Sequence, residues 1–442
     1  MAAIKDLTRG PIGKQLFYLS LPIISTSFIQ MAYSLTDMAW VGRLGPESVA
    51  AVGAVGILVW LTNSVSLLNK VGAEISVAQA IGAQNLDKAR CYASHNVSIS
   101  LIISLIWAGF LFAFSYPLLG IYKIEAAIEL EAVTYLRIVL FGFPFLFLSA
   151  TFTGIYNAAG LSKIPFYINS IGLILNLVLD PVFIFALDMG TAGAALATLI
   201  SQVVVCLLFF ARIKLRDRLL GSFPFFVRLQ PDCVRKIVNL GLPVTLFNGF
   251  FAIINLLMGR ISSIFGGHIG LMTLTAGGQI EGLAWNTSQG FSTGLSAFVA
   301  QNYAAGKKSR ILRAYRSGLA ITTVFGLLLT LLFVFYGGEV FTLFVPGQIA
   351  FDAGQLFLRI EGYTMLFMMV EITIQGVFFG TGRTLPPALI SSVFNLLRIP
   401  LAIILAKNGM GLAGIWWAIS LTSLLKGLTA FSWFQAIKKR IL

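Results

Sequence analysis

Leu19-Ser20-Leu21-Pro22 recurs as Leu240-Gly241-Leu242-Pro243, and Val77-Ala78-Gln79 recurs as Val299-Ala300-Gln301, so the chain repeats itself about 222 residues on. Leu136-Arg137-Ile138 returns as Leu358-Arg359-Ile360 at the same offset, and Gly154, Gly160 and Pro165 return as Gly376, Gly382 and Pro387. Half of 442 residues is one copy, so the duplication accounts for the whole length. Duplicated sets of apolar helices are how many membrane transporters build two lobes around one site.

The composition fits that reading. Hydrophobic residues make up 57% of the chain and charged residues only 11%, with a mean hydropathy of +0.89, against about 25% charge in soluble domains. Twelve apolar runs of about 20 residues or more can each cross a hydrocarbon core of roughly 30 Å. They include 16–42, 132–157, 237–265 and 269–299. The expected fold is all-α and polytopic, with twelve transmembrane helices in two six-helix repeats. Its parts are an N-lobe over 1–211, a polar linker over 212–236 containing Gly221, Pro224 and Pro231, and a C-lobe over 237–442.

A net charge of +14 suggests nucleic acid until the basic residues are placed. With the N-terminus inside, cytoplasmic segments collect 22 of the 31 Lys and Arg, while outer loops keep only Arg43, Lys123 and Lys407. That asymmetry sets topology, with both termini cytoplasmic and no call on nucleic acid. Six crossings per half return the chain to its starting side, so the repeats are parallel. The run after Lys14 reads as a first span, without an Ala-x-Ala cleavage site. Cys91, Cys206 and Cys233 are odd in number, lie on the cytoplasmic side or in a span, and carry no functional signal in sequence. Only His95 and His268 are present, too few for metal-assisted or acid–base catalysis, so an enzyme is not expected.

Carboxylates inside a membrane are costly and are functional candidates by default. Asp37 falls late in the first span. Asn176 and Asp180 are one turn apart in the fifth, on one helix face. Pro181 follows and takes one backbone donor away, leaving carbonyl oxygen for a proton or a hard cation such as Na+. The second half keeps Asn395 and Pro400 but places Ile399 where the acid would fall, and Met258 where Asp37 would. Packing demands would be shared by both halves, so an unduplicated acid favours function. Glu281 and Glu371 are the second half's own acids, with Arg260 and Arg398 as possible neutralising partners. Tyr33, Gln279, Glu281 and Glu371 are substrate-binding candidates, and Pro22 and Pro243 are candidate hinges inside the first span of each half.

The order and spacing of these features resemble the multidrug and toxic compound extrusion (MATE) family over the whole chain. They are the 6+6 repeat, Pro22 and Asp37, the Ala78-Gln79 and Ala300-Gln301 turns, Gln279-Ile280-Glu281, and Asn176 with Asp180-Pro181. The fifth-span pair is similar to the DinF-type branch. The resemblance implies a V-shaped two-lobe bundle and a cation-coupling site of Asp37, Asn176, Asp180 and Thr198, where Na+ could bind. It also implies an inner-membrane antiporter that expels amphipathic, cationic drugs by H+ or Na+ exchange through alternating access around a central cavity. No cofactor beyond the coupling ion and a monomeric state are expected. The NorM-like acid of the seventh span is missing, since Pro243 to Phe265 carries no Asp or Glu. A flippase of a lipid-linked precursor or polysaccharide is the alternative, and it would call for a strongly basic cavity.

Overall fold

The computed structural model describes residues 4–122, 124–217, 220 and 223–441; Lys123 and Gly221, both named above, and the basic Arg218 of the linker lie outside them. Among the described residues the chain is helical without strands. The first half forms α1 (Ile12–Val41), α2 (Pro46–Gly82), α3 (Leu86–Ala113), the short α4 (Ser115–Gly120), α5 (Ala126–Leu140), α6 (Phe143–Ala158), α7 (Lys163–Pro181) and α8 (Gly190–Ala211). The second forms α9 (Pro231–Ala304), α10 (Lys308–Thr342), α11 (Gln348–Gly362), α12 (Met365–Gly380), α13 (Leu385–Leu405) and α14 (Gly411–Ile441).

At 74 residues α9 would be about 110 Å long as one rod, several membrane thicknesses. It is two spans joined at Gly267, whose φ of 56° and ψ of −141° leave the helical region. Gly45, 222 residues earlier, sits between α1 and α2 with φ 123°. Left-handed backbone at both positions favours glycine, so one break is encoded twice. The apolar stretch Leu385–Lys438 is likewise broken, at Gly409 and Gly411. Two bent pairs, α5 with α6 at 48° and α11 with α12 at 50°, each make one crossing. With α1, α2, α3, α7, α8 and α10, the crossings among the described residues number twelve.

The span expected over 132–157 is present and bent within its length. Pro144, second in α6, has no N–H to give the turn before it. In the second half the same bend forms without proline: the Ser420 hydroxyl donates to the Ile360 carbonyl at 2.9 Å and lies 2.9 Å from the Thr364 hydroxyl. A polar group from a neighbouring helix thus satisfies the backbone freed by the break, as hydrocarbon requires. Wide helical turns at Val182–Ala186 and Ala406–Met410 close α7 and α13 alike.

Contacts divide the chain into two compact units. One holds the segment ending at Arg9 together with Leu21–Thr245; the other holds Gly10–Ser20 and Leu246–Leu442. Two of the divisions fall next to Pro22 and Pro243, within helices, and the described part of the segment read as a linker belongs to the first unit. There the Ser98 hydroxyl donates to the Phe225 carbonyl and accepts from the Val227 N–H, each at 3.1 Å. The first unit's core gathers Val55, Leu58, Leu111, Leu136, Phe143 and Ile184. The second is built on Phe333, Phe341, Phe357, Met369 and Trp416, with the Phe357 and Trp416 rings edge-on at 4.9 Å.

Candidate cation site

Four helices of the first unit bring polar side chains to one buried place. Helix α1 supplies Tyr33 and Asp37 one turn apart, α5 supplies Tyr135, α7 supplies Asn176 and Asp180, and α8 supplies Thr198 and Ser201. Asn176 and Asp180 are fully buried, and the Asn176 amide donates to Asp180 Oδ1 at 3.0 Å. The Tyr135 hydroxyl points to Asp37 Oδ2 at 3.5 Å. Asp37 and Asp180 face each other at interacting distance, and Asn176 adjoins both. Tyr33 faces Thr198 and Ser201.

The remaining oxygens of the cluster make no hydrogen bond. Asp37 Oδ1, Asn176 Oδ1, Asp180 Oδ2 and Thr198 Oγ1 are all buried without a hydrogen-bond partner. Leaving such an atom unmet costs about 1–3 kcal/mol, and with the Tyr33 and Ser201 hydroxyls six such atoms lie in this cluster. Two facing carboxylates also repel unless a proton or cation is shared between them. No lysine or arginine stands beside the pair among the described residues. An oxygen-lined, net-acidic pocket of this kind suits a proton or a hard cation.

The second unit fills the corresponding region differently. Pro165 and Pro387 fix the register of α7 and α13, and no residue can be slipped in between without a bulge, so Asn176 corresponds to Arg398 and Asp180 to Ala402. This corrects the pairing of Asn176 with Asn395 and of Asp180 with Ile399; Pro22 and Pro243 fix the register of α1 and α9 in the same way and keep Asp37 opposite Met258. The acid is absent under either register. Arg398 Nε donates to the Thr422 hydroxyl at 3.1 Å, and its charge lies among Glu281, Glu361 and Glu371. Lys426 Nζ pairs with Glu371 Oε2 at 3.6 Å. The Ser391 hydroxyl and the Gln375 amide donate to the other Glu371 oxygen at 2.9 and 3.1 Å. Here the cations are part of the protein.

Comparison with known proteins settles the family. The MatE family model matches residues 22–182 and 241–404, one segment in each repeat and most of the chain. The chain belongs to the MATE family. As a MATE protein it is a multi-pass membrane transporter and not an enzyme. Over 422 residues it is 26% identical to a probable multidrug resistance protein NorM of Thermotoga maritima, covering 92% of this chain and 88% of that one. A FAD transporter of Shewanella oneidensis is 24% identical, with 98% and 96% covered. The outward-facing structure of a multidrug resistance MATE family transporter superposes with a TM-score of 0.93 at 23% identity, covering 100% of this chain and 99% of that one.

Within this MATE fold the residues singled out in sequence fall into separate groups. Asp37, Asn176, Asp180 and Thr198 come together, joined by Tyr33, which was grouped with substrate contacts, and by Tyr135 and Ser201, which sequence reasoning missed. Tyr135 lies 98 residues from Asp37 on an otherwise apolar face, so spacing held no sign of it. Glu371 is buried in an ion pair with Lys426, also missed in sequence, and Glu281 lies near Arg398 and Lys426. Arg260 and Gln279 are exposed. Pro22 and Pro243 lie inside α1 and α9.

Proposed function

We propose that this MATE protein is a cation-coupled exporter of small amphipathic drugs. H+ or Na+ enters the site of Asp37, Asn176, Asp180 and Thr198 from outside, and its release inside is linked to outward passage of the drug. The observation that carries this reading is the pair of facing carboxylates with no basic partner, ringed by buried oxygens without hydrogen bonds. Such a site is stable when it holds a cation and strained when empty, so its occupancy can bias the helices that build it. Its residues all lie in one unit, so a small shift of α1 or α7 changes the site as a whole.

Multidrug export is supported by the name of the Thermotoga maritima relative. A net-acidic site favours cationic cargo. The Shewanella relative, called a FAD transporter, makes flavin dinucleotide the second cargo to assay. We read it as a monomer in the cytoplasmic membrane, and the asymmetry of its basic residues supports both termini inside. The test is efflux of a fluorescent cation from proteoliposomes under an imposed proton or sodium gradient. Efflux driven by at least one gradient supports the reading; efflux indifferent to both removes it.

A further inference from the structure

We infer that Cys91, His95 and Cys233 form a binding site for a thiophilic metal ion of the Zn2+ class, outside the transport site. Cys91 and His95 lie one turn apart on the first turns of α3, and Cys233 is the third residue of α9, 142 positions from Cys91. Both sulfurs and a ring nitrogen of His95 lie within 4.8 Å of one another. The sulfurs are 2.7 Å apart, and Cys91 Sγ is 3.5 Å from His95 Nδ1 and 3.8 Å from Gln230 Oε1. His95 and Cys233 are buried and Cys91 is half-buried, so the site is shielded yet within reach of solvent.

The chemistry of the three groups converges on a soft or borderline ion. Two thiolates and an imidazole are the donors such an ion takes at about 2.3 and 2.0–2.1 Å. A tetrahedral ion holds two such sulfurs about 3.8 Å apart, so binding needs the present pair to open by about 1 Å. As unbonded thiols the sulfurs are crowded, and opening relieves that. The imidazole is held at both nitrogens, and an ion must displace one of those partners. The Gln230 N–H donates to His95 Nε2 at 3.0 Å, which leaves the ring proton on Nδ1, 2.7 Å from the Cys91 carbonyl oxygen that accepts it. A ring N–H held by a backbone carbonyl, with the other nitrogen's lone pair turned to an ion, is the usual support of a metal-bound histidine. Here the Gln230 N–H occupies that lone pair, and binding exchanges this one hydrogen bond for a metal bond. The Gln230 carboxamide or a water completes four ligands. Two thiol protons pass to solvent as the ion enters. The bound ion would fasten the first turn of α9 to the start of α3.

The full-length protein, purified in detergent, is reduced, stripped with a chelator, offered Zn2+ and dialysed, and its metal is then counted per chain. Zn2+ near one per chain is expected, with release of two protons per ion. Co2+ in its place should give the sulfur-to-cobalt charge-transfer absorption of a thiolate site. Cys91→Ser with Cys233→Ser should lose the ion, and His95→Gln should weaken binding at least about tenfold. Cys206→Ser, a thiol elsewhere in the fold, should keep full stoichiometry. Each variant is first shown to elute as a single species and to export drug, so loss of metal is not loss of fold. Equal Zn2+ in the wild type and the double serine variant overturns the proposal. So does a reduced wild type that takes up none, including one isolated with a Cys91–Cys233 disulfide.

Discussion

Asp37 and Asp180 are the two side chains on which the transport proposal turns, because each depends on the other for the cation they share. Asp37→Asn removes one titratable group with little change in volume, so gradient-driven efflux should fall about tenfold or more while drug binding remains measurable. Asp180→Asn should do the same, and the double variant should lose no more than either single one, as expected of groups acting as a unit. Efflux assays on the three variants decide it; additive losses would mean two independent sites. Glu371 should behave differently. Its carboxylate is tied to Lys426, Ser391 and Gln375, and breaking a buried pair by removing one partner costs roughly 3–5 kcal/mol. Glu371→Gln should therefore lower thermal stability in detergent clearly, while cation coupling in the folded fraction persists. Much of the site was legible in sequence, because an acid in an apolar run is rare enough to stand out. Tyr135, Lys426 and the Cys91–Cys233 approach were not, because they depend on which helices meet across 98, 55 and 142 residues.

Among the elements, the breaks say most about how the repeat is built. Gly45 and Gly267 hold left-handed backbone at equivalent positions, where a residue with a Cβ costs about 1–2 kcal/mol and a β-branched one more. Gly267→Val should reduce folded yield and melting temperature, whereas Gly53→Val, in the open interior of α2, should be nearly silent. A thermal melt of the two variants side by side checks this. Close helix contact is encoded in the same way. A Cβ at Gly376 would stand 2.6 Å from the Ser292 carbonyl oxygen, and one at Gly154 would strike the Lys70 carbonyl oxygen. Gly154 and Gly376 announced themselves as a repeated pair before their reason was visible. The bend between α5 and α6 did not, since hydropathy runs unbroken across Phe141 and Gly142 and only packing with neighbouring helices reveals the turn.

For the molecule as a whole, the asymmetry of basic residues predicts which side each connection faces. In a background with Cys91, Cys206 and Cys233 changed to Ser, Arg313→Cys should label with a membrane-impermeant thiol reagent only from the cytoplasmic side, and Lys407→Cys only from outside. Labelling of both from one side would reverse or break the assignment. The duplication supplied the twelve-crossing architecture from sequence, yet the two copies have diverged in charge. The first unit keeps facing acids without a base, and the second surrounds its acids with Arg398 and Lys426. Cation exchange should therefore be a property of the first unit alone. The most direct test is drug efflux from proteoliposomes under separately imposed H+ and Na+ gradients, for the wild type, Asp37→Asn and Glu371→Gln. The account predicts that one or both gradients drive the wild type and Glu371→Gln but fail to drive Asp37→Asn. Undiminished gradient-driven efflux by Asp37→Asn would contradict it.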